Sequence, residues 1–309
     1  MRACLLFATI IALPASLASQ QDSSAPRAPD VHFVPTEPGV VRAMLGAARV
    51  GPKDIVYDLG CGDGRIVIRA VKRYGARGVC VDIDPARIAE SRRNADTAGV
   101  AGRITFREGD LFEMDLRKAS VVTLYLLPAL NERLRPKLFR ELRPGSRIVS
   151  NAFDMGDWKP DSVLRVNPVE PFPSFAYYWV MPADVAGTWN VSVSGDGSSK
   201  PGKQVYEIRL EQRYQQITGT VSASGRPVSI TDERLVGDQL SFSVNDSTAG
   251  RSMELRLSGR VTGDRAVGMV RNREGRKAGS WSAVRTERGP RPELEPAAAA
   301  DTTVQDPPR

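Results

Sequence analysis

Three acidic residues stand at intervals along the first half of the chain, each at the end of an apolar run. Asp58 closes Val56-Tyr57-Asp58-Leu59 and is followed by Gly60, Cys61, Gly62, Asp63 and Gly64. Asp82 lies in Val81-Asp82-Ile83-Asp84, and Asp110 in Glu108-Gly109-Asp110-Leu111. Glycines at such spacing let the backbone turn sharply and approach a ligand closely. The dinucleotide pattern G-x-G-x-x-G would need a glycine at position 65, where Arg65 stands. A carboxylate at Asp58 would repel a pyrophosphate and attract a positively charged ligand. Asp82 follows the glycines at about the spacing of an acid that binds ribose hydroxyls, and Asp110 could accept a hydrogen bond from an adenine amino group. Each residue alone has a simpler reading, as a tight strand-to-helix turn or a helix cap. Together, in order and in phase with the strands, they predict a crevice for a positively charged nucleoside.

The flanking pattern supplies the elements that must position these acids. Val40, Val41, Met44, Leu45 and Ala48 recur at helical spacing, and Arg65–Tyr74, Pro85–Ala98 and Glu132–Leu142 also read as helices. Asp54–Leu59, Gly78–Ile83, Ile104–Glu108, Ser120–Leu127 and Arg147–Asn151 read as strands. Phe175–Met181 closes the unit, paired with Val163–Val166 as a hairpin. Strands alternating with helices predict an α/β fold, doubly wound, with a mostly parallel sheet and helices on both faces. Ligands bind such sheets at the carboxyl ends of the strands, where the three acids fall.

The pattern changes at Ala186. Over 186–285 short polar–apolar alternations recur, around Trp189, Tyr206, Ile217, Leu240 and Leu255, with turns at Gly195-Asp196-Gly197, Ser224-Gly225, Gly237-Asp238 and Gly263-Asp264. This predicts a small antiparallel β domain, a barrel or sandwich, with Gly219 marking a bulge or bend. The first unit spans 31–183, and the junction between Pro182 and Gly187 is expected to be a cleavable boundary between separately folding units. Residues 286–309 read as a disordered tail. At the other end, Arg2, the apolar run Ala3–Leu13 and the small residues Ser16 and Ala18 form a signal peptide over 1–18, followed by a linker over 19–30. The chain is then exported, periplasmic or secreted; an uncleaved membrane anchor is the alternative. Cys61 and Cys80 could pair in an oxidising compartment but are read as small buried thiols. With His32 the single histidine, a zinc site is not expected. The net charge of +7 is spread along the chain and gives an ordinary basic surface, with an acidic partner or anionic membrane as the alternative and no specific nucleic acid indicated.

The glycine motif, the acid after the second strand and Asp110 resemble the seven-stranded Rossmann-like methyltransferases, over roughly Phe33 to Met181. Phe33-Val34-Pro35-Thr36, Asp58–Arg65, Leu138–Leu142 and Asp157-Trp158-Lys159-Pro160 are similar to the group that includes the ATP synthase c-subunit lysine methyltransferases. The resemblance implies S-adenosylmethionine as cofactor. Asp58 and the loop Gly60, Cys61, Gly62 and Gly64 would hold its methionine part. Asp82, with Ile83 beside it, would hold the ribose, and Asp110 and Leu111 the adenine. Phe33, Pro35 and Thr36 would fold over it as a lid. Tyr125 to Pro128 would flank the transferring methyl. Tyr125, Asn151 and Asp154 are the candidate catalytic residues, while Trp158 and Tyr177 could wall an acceptor slot or belong to the core. The acceptor is expected to be a protein lysine, with a small molecule or lipid headgroup as the alternative and a membrane-proximal substrate possible. A non-catalytic nucleoside-binding protein is the rival reading.

Overall fold

The computed structural model describes residues 31–166, 174–195, 204–222, 227–246 and 253–291. The expected leader, the linker and residues 292–309 of the expected tail lie outside the described residues.

The first unit opens with α1 (Pro38–Ala47), whose Val40, Val41, Met44 and Leu45 form a buried stripe. Then come β1 (Ile55–Leu59), α2 (Arg65–Tyr74), β2 (Arg77–Asp82), α3 (Pro85–Thr97) and β3 (Ile104–Glu108). β4 (Val121–Leu124), α4 (Pro128–Glu141), β5 (Arg147–Asn151), β6 (Ser162–Val166) and β7 (Ser174–Val180) complete a seven-stranded sheet, ordered β3-β2-β1-β4-β5-β7-β6. Only β7 runs against its neighbours. One face packs Val56, Val121 and Val149 under α1 and α2, and Cys80, Ile104 and Phe106 under α2 and α3. On the other, Leu134 and Leu138 of α4 meet Leu59, Leu124, Ile148 and Trp179. Helices do cover both faces, but unevenly, since the β3–β4 connection holds none.

The strand expected to reach Leu127 stops at Leu124, and the helix expected from Glu132 starts with Pro128 in its first turn. Proline suits that position, because its φ is already helical and the missing N–H would have had no partner. The expected end of the strand thus gives way to the start of a helix. Tyr125 to Leu127 thereby become a loop at the carboxyl edge of the sheet.

The second unit comprises β8 (Gly187–Gly195), β9 (Gln204–Arg213), β10 (Gln216–Ser222), β11 (Pro227–Ser229), β12 (Thr231–Val236), β13 (Gln239–Asp246), β14 (Met253–Thr262), β15 (Arg265–Asn272) and β16 (Lys277–Arg288). All its pairings are antiparallel, in the order β11-β10-β9-β8-β16-β15-β14-β13-β12. The sheet curls until β10 meets β12, giving a nearly closed barrel. Trp189, Ile208, Leu210, Phe242, Leu257 and Trp281 fill it. Among the described residues, the voids between these side chains measure ≈ 10 Å³ and ≈ 20 Å³, room for no more than a water.

Four of these strands, β11, β12, β15 and β16, escape the hydrophobic pattern. Gly259 and Gly268 face each other across β14 and β15, and a Cβ on either would stand 2.6 Å from the Trp281 ring. Glycines that blur the strand signal thus make room for an indole. Gly219 causes no bulge: β9 and β10 keep register through it, and a Cβ there would come within 2.4 Å of the Arg209 carbonyl oxygen. β16 reaches Arg288, so the expected tail boundary at 286 is too early.

The junction is not an exposed linker. Met181 to Ala186 are buried apart from half-buried Asp184. Val185 N–H donates to Gln212 Oε1 at 2.7 Å, and Gln212 Nε2 donates to the Ala183 carbonyl at 2.9 Å. At the β9–β10 turn, Tyr214 enters the core on the α4 face, its ring 5.7 Å from Phe139 and 5.9 Å from Trp158. Its hydroxyl donates to Asp157 at 2.9 Å, and Arg135 and Arg213 pair with the same carboxylate. Trp158 Nε1 donates to Gln215 Oε1 at 2.9 Å. The Asp157-Trp158 pair therefore anchors the barrel, and Trp158, 1% exposed, is a core residue rather than the wall of a slot.

Candidate functional site

A cavity of ≈ 470 Å³ opens at the carboxyl edge of the sheet, bounded by Phe33, Val34 and Thr36, by Asp58, Gly60 and Cys61, by Val81 to Asp84, by Gly109 to Leu111, and by Tyr125, Leu126 and Leu130, with His32, Asp63, Arg65 and Arg87 also at its lining. That size suits a small organic ligand.

Backbone geometry builds the near wall. After β1 the chain turns through Gly60, Gly62 and Gly64 at φ 78°, 53° and 79°, where a side chain would be strained. Gly60 and Cys61 N–H donate to the Val81 carbonyl at 2.8 and 2.9 Å. Gly62 N–H donates to Asp82 Oδ2 at 2.8 Å, and Asp84 N–H to Asp82 Oδ1 at 3.0 Å. Asp82 thus stands in the cavity wall and also pins the glycine loop. Asp84 caps α3, accepting from Ala86 N–H at 2.8 Å.

Cys61 and Cys80 are joined in a disulfide with their Cα atoms 5.3 Å apart, which corrects the reading of two free thiols. The loop folds back over β2, so residues 19 apart in sequence meet beneath the cavity wall. This covalent link and the Asp82 hydrogen bonds hold the same loop.

The lid segment is placed by two contacts. The Phe33 ring lies over Gly62, where a Cβ would come within 2.1 Å of it, and the Arg87 guanidinium stands 5.0 Å from its centroid. Arg65 forks onto Asp63 at 2.6 Å and donates to the Thr36 carbonyl at 2.9 Å. Arg65 therefore ties the lid to the glycine loop. In the sequence it served only to exclude a dinucleotide motif; the acid two residues before it was the available signal.

Asp58 is 2% exposed. Its Oδ1 accepts from the Thr123 hydroxyl at 2.7 Å, while Oδ2 makes no close hydrogen bond, the Val67 N–H in the first turn of α2 giving the carboxyl only weak support. Burial pushes the carboxyl up to about 7; the Thr123 hydrogen bond opposes this, and the Asp82 charge adds to it. A buried carboxylate oxygen lacking a donor is costly, and a cation in the cavity would satisfy it. Thr123 was missed from sequence because its role depends on β4 lying beside β1. Asp110 lines the cavity with Leu111 and Ile83, and its Oδ1 accepts from Phe112 N–H at 2.9 Å.

The candidate catalytic residues separate. Tyr125 lines the cavity, its ring 6.4 Å from that of Phe153. Asn151 and Asp154 lie outside the lining. Asn151 is buried at the end of β5, and Asp154 Oδ1 accepts from Gly156 N–H within its own turn. Their nearness to strand tips does not carry them into the lining: the turn after β5 reaches the cavity wall only through Phe153, stacked on Tyr125, and is fixed by buried Asn131. Its Nδ2 donates to Ser150 Oγ and to the Phe153 and Asp154 carbonyls. Pro35, Gly62 and Gly64 adjoin the cavity without lining it.

The cavity's size and its acids at Asp58, Asp82 and Asp110 fit S-adenosylmethionine, a positively charged nucleoside. Residues 58–162 match the model of the ANTKMT methyltransferase domain. The chain is 48% identical over 139 residues to a protein-lysine N-methyltransferase of Saccharolobus islandicus, covering 45% of this chain and 86% of that one. It is 33% identical over 131 residues to the ATP synthase c-subunit lysine N-methyltransferase of Homo sapiens, covering 42% of this chain and 55% of that one. A crystal structure of an RNA methyltransferase from Salinibacter ruber with S-adenosyl-L-homocysteine is 51% identical, covering 49% of this chain and 96% of that one, at a TM-score of 0.46. The chain belongs to the S-adenosylmethionine-dependent methyltransferase family that includes the protein-lysine N-methyltransferases.

Proposed function

We propose that this protein transfers a methyl group to the side-chain amine of lysine in a protein partner. The observation that carries this is the 48% identity with a protein-lysine N-methyltransferase, across 86% of that relative. When bound, S-adenosylmethionine supplies an electrophilic methyl on a sulfonium. The chain's own residues bind and position. Asp58 neutralises the ammonium, Asp82 and the Asp110–Leu111 turn fix the nucleoside, and Phe33 with Thr36 covers it. Leu126, Leu130 and Tyr125 form one wall, apolar apart from a phenol, while His32, Asp63, Arg65 and Arg87 line the cavity elsewhere. A lysine amine, with a free pKa of ~10.4, reacts only when neutral, and an apolar slot lowers that value by disfavouring the ammonium. In this reading the Tyr125 hydroxyl accepts from the amine and aligns its lone pair; positioning of this kind supplies much of the rate in a displacement. The proton leaves to water. Asn151 and Asp154 have no part in this reading.

The reading includes export. The charged start, apolar run and small-residue cleavage site support it, and a disulfide is at home in an oxidising compartment. N-terminal sequencing from the native host should find a chain beginning near Ser19; a cytosolic chain retaining Met1 contradicts it.

The acceptor is tested by incubating the purified protein with methyl-labelled cofactor and an extract of exported and membrane proteins. Label should appear on lysine, located by peptide mass spectrometry. Label confined to lipid, small molecules or RNA would overturn the lysine assignment while leaving methyl transfer intact.

A further inference from the structure

The barrel interior is full, so a second role must lie on its outside. The outward residues of β15 alternate as Arg265, Val267, Met269 and Arg271, between buried Ala266 and Val270. Val267 is 61% exposed, Met269 43% and, on neighbouring β16, Val284 53%. The register sets Val284 beside Arg265 and Ser282 beside Val267, so the three apolar side chains form one patch. Beyond Met269, Arg271 pairs with Lys277, and the connecting turn adds Arg273 and Arg276 against Glu274 alone. Among the described residues, Arg265, Arg273, Arg276 and Lys277 make no ion pair, whereas Arg256 and Arg260 on β14 meet Asp232 and Asp238. On the β8 side, the residues paired with Ser280, Ser282 and Val284 are uncharged Ser194, Ser192 and Asn190.

We propose that this wall of β15 and β16 docks the protein on an anionic bilayer surface. Exposed aliphatic residues on a soluble protein mark an interaction site when they cluster. Here the cluster is framed by unpaired cations, the combination that places side chains among acyl chains and charges among anionic headgroups. A single-stranded nucleic acid would ask for exposed aromatic rings to stack on. The one aromatic residue on β14 to β16 is Trp281, which is buried inside the barrel. The proposal does not depend on the identity of the methyl acceptor.

The test is co-sedimentation of the full chain with vesicles of phosphatidylcholine alone or with one third phosphatidylglycerol. Binding should be at least about tenfold tighter to the anionic vesicles and should weaken as salt is raised. Replacing Arg265, Arg271, Arg273 and Arg276 by Gln should remove that preference. Val267→Ser with Met269→Ser should weaken binding several-fold while leaving its salt dependence. An unchanged thermal shift with S-adenosylhomocysteine confirms that each variant is folded. Equal binding to both vesicles, no binding, variants that bind like the parent, or tighter binding to an RNA oligomer than to vesicles would each overturn the proposal.

Discussion

Asp58→Asn should make the protein without cofactor more stable above neutral pH while weakening cofactor binding. The Asp58 carboxyl is fully buried, one oxygen lacks a close hydrogen bond, and its pKa is raised from an ordinary 3.8 to about 7. A displacement of that size corresponds to about 4 kcal/mol for holding the group ionised in the folded chain, at ~1.4 kcal/mol per pH unit. Because the folded-state value is the higher one, the associated stability is fully present below pH ~4. It declines as the unfolded chain ionises and is lost once pH passes about 7. Asparagine occupies the same space without the charge, but its amide still lacks one partner, at a cost of about 1–2 kcal/mol. The variant should therefore gain roughly 2–3 kcal/mol over the parent at pH 8 and be about 1–2 kcal/mol less stable than it at pH 4. Cofactor binding should move the other way. The parent's affinity for S-adenosylhomocysteine, which retains the ammonium, should rise from pH 5 to about 7 and then level off, as Asp58 ionises. The variant should bind weakly and without that slope. Urea unfolding at two pH values, paired with isothermal titration, decides the matter. A variant less stable than the parent at both pH values, with parental affinity, would refute the assignment of a poised carboxylate at Asp58.

Gly62→Ala should displace the Phe33 lid, because the new Cβ would fall 2.1 Å from its ring and the φ of 53° is unfavourable; titration should show cofactor affinity reduced about tenfold or more, with β1 and β2 intact by circular dichroism. Asp82→Ala removes the expected ribose acceptor and frees the Gly62 and Asp84 backbone N–H groups, so a loss of at least about 2–3 kcal/mol in cofactor binding is expected, whereas Asp84→Ala, at a helix cap, should cost stability of ~1 kcal/mol and little affinity. Tyr214→Ala should destabilise the whole chain by roughly 3 kcal/mol, and Tyr214→Phe by about 1 kcal/mol, both read in a single urea transition that includes the first unit. Reduction of the Cys61–Cys80 bond, which closes a separation of 19 residues, should lower stability by about 3 kcal/mol; a melting curve unchanged by reductant would show that the link is not formed in solution.

Much of the first unit can be read from the sequence, because its signals are local. Strands and helices there are marked by apolar period, by Pro85 after Asp84 and by glycines at left-handed turns. Asp58, Asp82 and Asp110 could be placed at strand ends because a parallel sheet with right-handed crossovers leaves its strand ends along one edge. The barrel was legible as an antiparallel β unit but not strand by strand. Gly259 and Gly268 look like strand breakers until Trp281 is known to lie over them.

What tertiary structure decided are the contacts between distant segments. Trp158 meets Gln215 across 57 residues, and this turns an acceptor-slot candidate into an interface residue. Asp58 is poised only because β4 brings Thr123 to one oxygen while burial leaves the other without a close hydrogen bond. Asn151 and Asp154 share a strand-tip neighbourhood with Tyr125 in sequence terms, yet neither lines the cavity, and buried Asn131 fixes the turn that carries Asp154. Local chemistry fixes conformation over a few residues. Which side chains share a cavity depends on strand order and register, and these are set by the packing of whole faces, so the sequence located the nucleoside crevice and its acids while the packing selected their partners.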